Sequence, residues 1–249
     1  SNVATSVIGS GNNVTFNYDN GTTTSLITNN GQFTFSGTDD LSFSNTISGS
    51  GALVKAGVNT LTLSGHNTYT GATTISAGKL TSGMANVIAD SSAVSIANGA
   101  TWDLADFNET VASIADVASN TTGSISLGSA NLKVGDASST TFTGIISGTG
   151  GLTKAGAGNL TLSGNNTYTG LTSITNGVLA YGINNALASG DVTVNGSTAR
   201  WSLGGYSDTV GAVTLIDGSI TGTTGILTGT DYAVQEGSIS AILAGSVGI

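Results

Sequence analysis

The chain has 249 residues, 38% of them hydrophobic and only 8% charged, with 14 acidic against 5 basic side chains and a formal net charge of −9. That balance is too apolar and too weakly charged for a disordered chain, and it disfavours nucleic acid and anionic membrane surfaces, which are met with Lys and Arg. The lack of Cys excludes disulfides and thiolate metal sites, the lack of Pro suits long ladders, and no stretch approaches the roughly 18 consecutive apolar residues of a membrane-spanning helix.

The chain begins at Ser1 without a signal peptide, and is therefore expected to be an internal fragment of a longer protein. Residues 1–42 are read as N-terminal coils. A first repeat unit follows at about 43–141 and a second at about 142–240, with 241–249 as the start of a third. The units are anchored by residues 47–80, ISGSGALVKAGVNTLTLSGHNTYTGATTISAGKL, and 146–179, ISGTGGLTKAGAGNLTLSGNNTYTGLTSITNGVL, which are identical at 22 of 34 positions at an offset of 99. The same offset pairs Phe43 with Phe142, Trp102 with Trp201, Leu104 with Leu203 and Val111 with Val210. The last residues, Ile242 to Ile249, match Ile145 to Leu152 at an offset of 97.

Within each unit, branched apolar clusters recur near residues 53, 75, 95, 114 and 133, then 152, 174, 193 and 213, so five steps of about 20 residues make one unit. Runs such as Thr60-Leu61-Thr62-Leu63 and Val94-Ser95-Ile96 alternate with a period of two, as half-buried strands do, and Gly, Asn, Asp and Ser separate them. The apolar run from Val111 to Val117 takes its place in the series as strand and not helix. A coil of 20 residues cannot bury its own apolar face, but stacking on the next coil closes a core and pairs every strand in parallel. The predicted fold is all-β: a right-handed parallel β-helix of roughly twelve coils, about 60 Å long at ~4.8 Å per coil. Its core is expected to be thin, built of small and branched side chains. Leu53, Leu61, Leu63, Ile75, Val94, Ile96, Leu104, Ile114, Leu132 and Val134 should face inward, with their partners 99 residues on. The two copies should superpose, with the two tryptophans in equivalent environments.

The run Gly51-Ala52-Leu53-Val54-Lys55-Ala56-Gly57, then Leu61 to Gly65 and Asn67-Thr68-Tyr69-Thr70-Gly71, resembles the autotransporter-associated β-strand repeat. The second copy keeps Leu152, Lys154, Gly156, Leu160 to Gly164 and Asn166 to Gly170. The resemblance implies the passenger of a type V secretion system, displayed on the bacterial surface or secreted. It also implies a C-terminal outer-membrane β-barrel in the parent, while this fragment does not itself insert into the membrane. The implied roles are adhesion, self-association, biofilm formation and virulence, with the same protein on neighbouring cells, a host surface glycan or a matrix protein as partner. A spacer for another effector domain is the alternative, and a carbohydrate-active enzyme the second.

Little in the sequence points to chemistry. His66 is the only histidine and stands where the second copy has Asn165; Arg200 is the only arginine, beside Trp201. Asp103, Asp106, Glu109 and Asp116 form the densest acidic group, read as solvated turn residues, and Asp39-Asp40 is similar. Neither a catalytic triad nor a calcium-binding nonapeptide repeat is present, so no enzyme activity, metal or cofactor is expected. Thr-x-Thr pairs such as Thr60/Thr62 resemble those of ice-binding solenoids but recur mainly once per unit. The candidate contact surface is Asn67, Thr68, Tyr69, Asn166, Thr167 and Tyr168. It can be read structurally, with Asn satisfying corner backbone groups and Tyr covering a coil edge. It can also be read as an exposed polar-aromatic patch for another rod or a glycan.

Overall fold

The computed structural model describes residues 6–9, 11–16, 26–118 and 123–245. Parts of the N-terminal coils and the end of the third-unit match (246–249) lie outside these residues. Every regular element among the described residues is a strand of two to five residues, and every ladder is parallel. The chain is a β-solenoid of about eleven turns, with equivalent strands about 20 residues apart.

Each turn crosses three walls. Wall two carries strands from Asn13–Phe16 through Ala52–Lys55 and Ser113–Asp116 to Asn159–Leu162 and Ser219–Gly222. Its two ladders meet where Thr140–Phe142 lies beside Ser113–Asp116 and the Thr143 N–H donates to Asp116 Oδ2 at 2.8 Å. Wall three carries Leu41–Phe43, Thr60–Leu63, Thr101–Asp103 and Ile145–Ser147, then Asp208–Thr209 and Ile242–Gly245. Wall one begins with Ser6–Ile8, Ile27–Asn29 and Ile47–Ser48, and resumes with Glu109–Val111 through Leu152–Lys154 to Asp231–Val234. Between them, residues 67–70 and 86–88 hold the wall without forming strands. The Thr68 N–H bonds the Ile47 carbonyl and the Asn86 N–H bonds the Asn108 carbonyl.

The alternation written in the sequence becomes burial. In Thr60–Leu63 the two leucines are buried and the threonines half-exposed, and all ten residues expected to face inward are buried. The run from Val111 to Val117 is strand on both sides of Ala112. Close stacking also explains much of the glycine. At Gly150, a Cβ would stand 1.8 Å from the Ala130 carbonyl oxygen of the coil below, so only hydrogen fits.

Three expectations need correction. The core is not built only of small side chains, because ten of the twelve aromatic side chains described are buried. Trp102, Trp201, Tyr69 and Tyr168 are the largest of these. At the N-terminal end Phe33, Phe35 and Phe43 pack with ring centroids 4.7 to 6.0 Å apart.

Second, the offset of 99 is not unbroken. Val94 and Ile96 correspond in position to Val192 and Val194, and Leu132, stacked on Glu109, to Leu227, stacked on Asp208. A slip of one residue sends a side chain to the opposite face, so Thr193, 99 positions beyond Val94, points outward, and Asp231, 99 beyond Leu132, is exposed.

Third, the two copies do not follow one another by whole turns. Leu53 lies on wall two and Leu152 on wall one; Trp102 lies on wall three and Trp201 on wall two. Both tryptophans are fully buried, so their local settings agree while the walls do not. The difference is set within the first unit: after Ser113–Asp116 on wall two the chain passes Ser124–Ser126 on wall three, Leu132–Val134 on wall one, Thr140–Phe142 on wall two and Ile145–Ser147 on wall three, so the second motif reaches Leu152–Lys154 on wall one and not on wall two. The second unit keeps that rotation through Ala212–Leu215 on wall one. The strands Ile145–Ser147 and Ile242–Gly245, matched at the offset of 97, both lie on wall three.

Candidate functional site

The six residues of the candidate surface divide sharply. Thr68 and Thr167 are exposed, while Asn67, Tyr69, Asn166 and Tyr168 are buried. The exposed polar-aromatic patch is therefore corrected to its two threonines. The cause is local. Where 67–70 replaces a strand on its wall, the asparagine amide supplies ladder bonds that backbone would otherwise make. Asn67 Oδ1 accepts from the Ile47 N–H at 2.8 Å on the coil below, and Nδ2 donates to the Val87 carbonyl at 2.6 Å on the coil above. Asn166 repeats this with Ile146 and Ala186 at 2.8 and 2.7 Å. Each asparagine thus ties three coils together. The tyrosines fill the wide corner from inside. The Tyr69 hydroxyl meets Thr73 Oγ1 at 2.6 Å, and Thr73 in turn meets Ser92 Oγ at 2.9 Å; Tyr168 pairs with Thr172 at 2.8 Å. Burial raises both phenols well above their ordinary pKa.

Two buried lysines escaped the sequence reading. Lys55 donates to the carbonyls of Gly57 and Ala77, and Lys154 to those of Ala155, Gly156 and Asn176 at 2.7, 2.8 and 3.2 Å. Each caps a corner across two coils. Burial lowers both ammonium groups to about 8, opposed by the charge of Asp40 at Lys55 and of Asp136 at Lys154. The available signal was phase: each lysine sits two residues after an inward leucine.

The acidic group is dispersed. Asp103 pairs with Lys79, Asp106 Oδ1 accepts the Ser129 N–H at 2.7 Å, and Asp116 bonds Thr143. Glu109 is not a solvated turn residue but is buried, with Oε1 accepting the Val87 N–H at 2.8 Å and the Ser82 hydroxyl at 3.2 Å. Burial pushes its carboxyl up to about 8, and Asp90 adds to the lift. The second copy places Asp208 at the same point, raised by the same cause and bonded to the Leu187 N–H at 3.0 Å. There Tyr181 stands where the first copy has Ser82, so a longer acid faces a small partner and a shorter acid a large one. Among the described residues, no group of three or more His, Cys, Asp or Glu could hold a metal ion.

What remains for contact is the outer surface. On wall one, Thr110, Lys133, Thr153, Ser173, Thr193 and Thr214 lie in ladder register, one above the next. Wall three stacks Thr60, Lys79, Thr101 and Ser124 in the same way. These are flat rows of hydroxyls broken by an occasional charge.

The fold and its surface define a β-solenoid scaffold. Residues 53–81 and 152–180 match the family model of the passenger-associated-transport-repeat. A stretch of 127 residues, 50% of this chain, is 37% identical to the adhesin BmaC autotransporter of Brucella suis biovar 1 (strain 1330), and the match spans 4% of that protein. No solved structure matches. The chain carries two copies of that repeat, and these together with the likeness to an adhesin autotransporter are the marks of an autotransporter passenger.

Proposed function

We propose that this rod acts without catalysis in adhesion, as part of a surface-displayed or released passenger, and that it self-associates between cells in aggregates and biofilms. We further propose that residues 1–249 form one solenoid stretch of a longer passenger whose parent carries an outer-membrane β-barrel. The observation that carries the adhesion reading is the wall-one row of stacked hydroxyls. Each exposed hydrogen bond contributes only ~0.5–1.5 kcal/mol, but rows repeat and cells display many copies. Low charge leaves few like-charge repulsions along such a row, and the net charge of −9 implies stronger association in salt. The partner is the same rod on a neighbouring cell, or a host surface glycan or matrix protein. Thr68 and Thr167 are the members of the sequence-predicted surface left available for contact.

The test is clumping of cells that display the passenger. Thr153→Asp, Ser173→Lys, Thr193→Asp and Thr214→Lys together place alternating charges along the row, which cross-strand attraction tolerates but which hold water at the surface. The variant rod should fold, by circular dichroism, and the cells should disperse. Undiminished clumping with a folded rod would remove the row from the mechanism. A spacer role is the second reading, favoured because the match spans 4% of the adhesin. It gains if the unmodified passenger neither clumps nor binds host cells or matrix.

A further inference from the structure

At the corner between the coils of residues 66–68 and 86–91 lies an open groove of about 450 Å³, within the size range of small-molecule clefts. Its floor is spoken for, because Asn67 is consumed by its bonds to Ile47 and Val87. Its rim is not. The side chains of His66, Thr68, Asn86, Asp90 and Ser91 are exposed and make no hydrogen bond or ion pair with any other described residue. Asn86 stands at φ 53°, which fixes the turn that presents this rim, and Asn185 repeats it at φ 51° in the second copy. The second copy nevertheless lacks the rim chemistry: Asn165 replaces His66, Ser189 replaces Asp90 and Gly190 replaces Ser91.

We propose that this groove is a binding site for a neutral saccharide, present in the first repeat and absent from the second. The chemistry of the rim selects that class. A carboxylate, an amide, an imidazole and two hydroxyls offer directional acceptors and donors for a sugar's vicinal hydroxyls, and the small Ala89 wall admits a C–H face. An anionic ligand meets the Asp90 charge with no Lys or Arg among the lining residues. A metal ion finds only His66 and Asp90 of suitable type. An apolar ligand finds only Ile88 and Ala89 as apolar lining residues, both of them buried. The proposal deepens the adhesion reading by giving it a ligand site, and the two fail separately: clumping requires displayed cells, whereas the groove requires only the soluble 249-residue chain.

The experiment is saturation-transfer NMR on that chain with lactose, maltose and N,N′-diacetylchitobiose as probes. The triple variant His66→Asn, Asp90→Ser, Ser91→Gly serves as control. It carries the residues that the second repeat already holds at an equivalent turn, so it should fold. At least one probe should give a saturable signal that falls tenfold or more in the variant, while Zn²⁺ alone should leave the amide spectrum of the chain unchanged. Silence from all three sugars, an equal signal in the variant, or a response to Zn²⁺ without one to sugar would overturn the proposal.

Discussion

Asn67→Ala tests whether the buried amide stands in for missing backbone ladder bonds. The substitution strips a partner from the Ile47 N–H, held at 2.8 Å, and from the Val87 carbonyl, held at 2.6 Å, both inside the rod. Leaving a buried polar group unsatisfied costs about 1–3 kcal/mol. Two such groups, with some relief from a water in the vacated space, bring the expected loss to about 2–4 kcal/mol. Solenoids open locally, coil by coil, so a single global unfolding energy would blur this loss. Amide hydrogen exchange reads it where it falls. At 1.4 kcal/mol per tenfold, the lower figure corresponds to roughly 30-fold faster exchange at Ile47. Asn166→Ala should do the same at Ile146, while Thr68→Ala, which removes an exposed hydroxyl from the same segment, should leave Ile47 unchanged. If Ile47 in Asn67→Ala exchanges within twofold of the unmodified chain, the amide is not replacing a ladder bond and the account of this corner is wrong.

Leu63→Ala, at a fully buried position, should cost about 2–5 kcal/mol, read as faster amide exchange in Thr60–Leu63 and the strands stacked on it, and a cost near zero would show that the strand's register is misassigned. Glu109 has a folded-state pKa raised to about 8 from an ordinary value of 4.5, so folding favours its protonated form. Its contribution is full below pH 4.5 and is lost as pH rises towards 8. Glu109→Gln should flatten the fall in stability across that window in a pH series of melting curves, and an unchanged slope would assign the fall elsewhere. Ala105 sits at φ 47°, where the second copy uses Gly204 at φ 57°. Relief of about 1–2 kcal/mol of left-handed strain, less about 0.5–1 for glycine's entropy, should make Ala105→Gly slightly more heat-stable; a lower melting temperature would contradict this.

The solenoid was legible because alternation and spacing are backbone properties, and Thr60–Leu63 shows both within four residues. The candidate surface was misread because polarity was allowed to outrank phase. Residues 61, 63, 65, 67 and 69 are all buried, as are 160, 162, 164, 166 and 168. Asn67 and Tyr69 continue the inward parity of Leu61 and Leu63. Lys55 and Glu109 obey the same parity, following Leu53 and preceding Val111. In so narrow a rod, corner carbonyls and amides face inward too, and a polar side chain of the right parity is held by them. The rotation between copies had no comparable signal. Residue identity reports what a strand contains, while the wall it occupies depends on how many walls the chain has crossed since the previous copy.

That rotation has a consequence for how such a rod can lengthen. The same motif folds on walls one, two and three in the first copy, and on walls three, one and two in the second. The three walls are therefore interchangeable hosts, and a duplicated segment need not contain a whole number of turns to be accepted. It must only begin and end at a corner. Growth can proceed one wall at a time, and each insertion of that kind moves everything beyond it round to the neighbouring wall. Two genomes differing by one such segment would then encode passengers whose distal surfaces point in different compass directions, with every local contact intact.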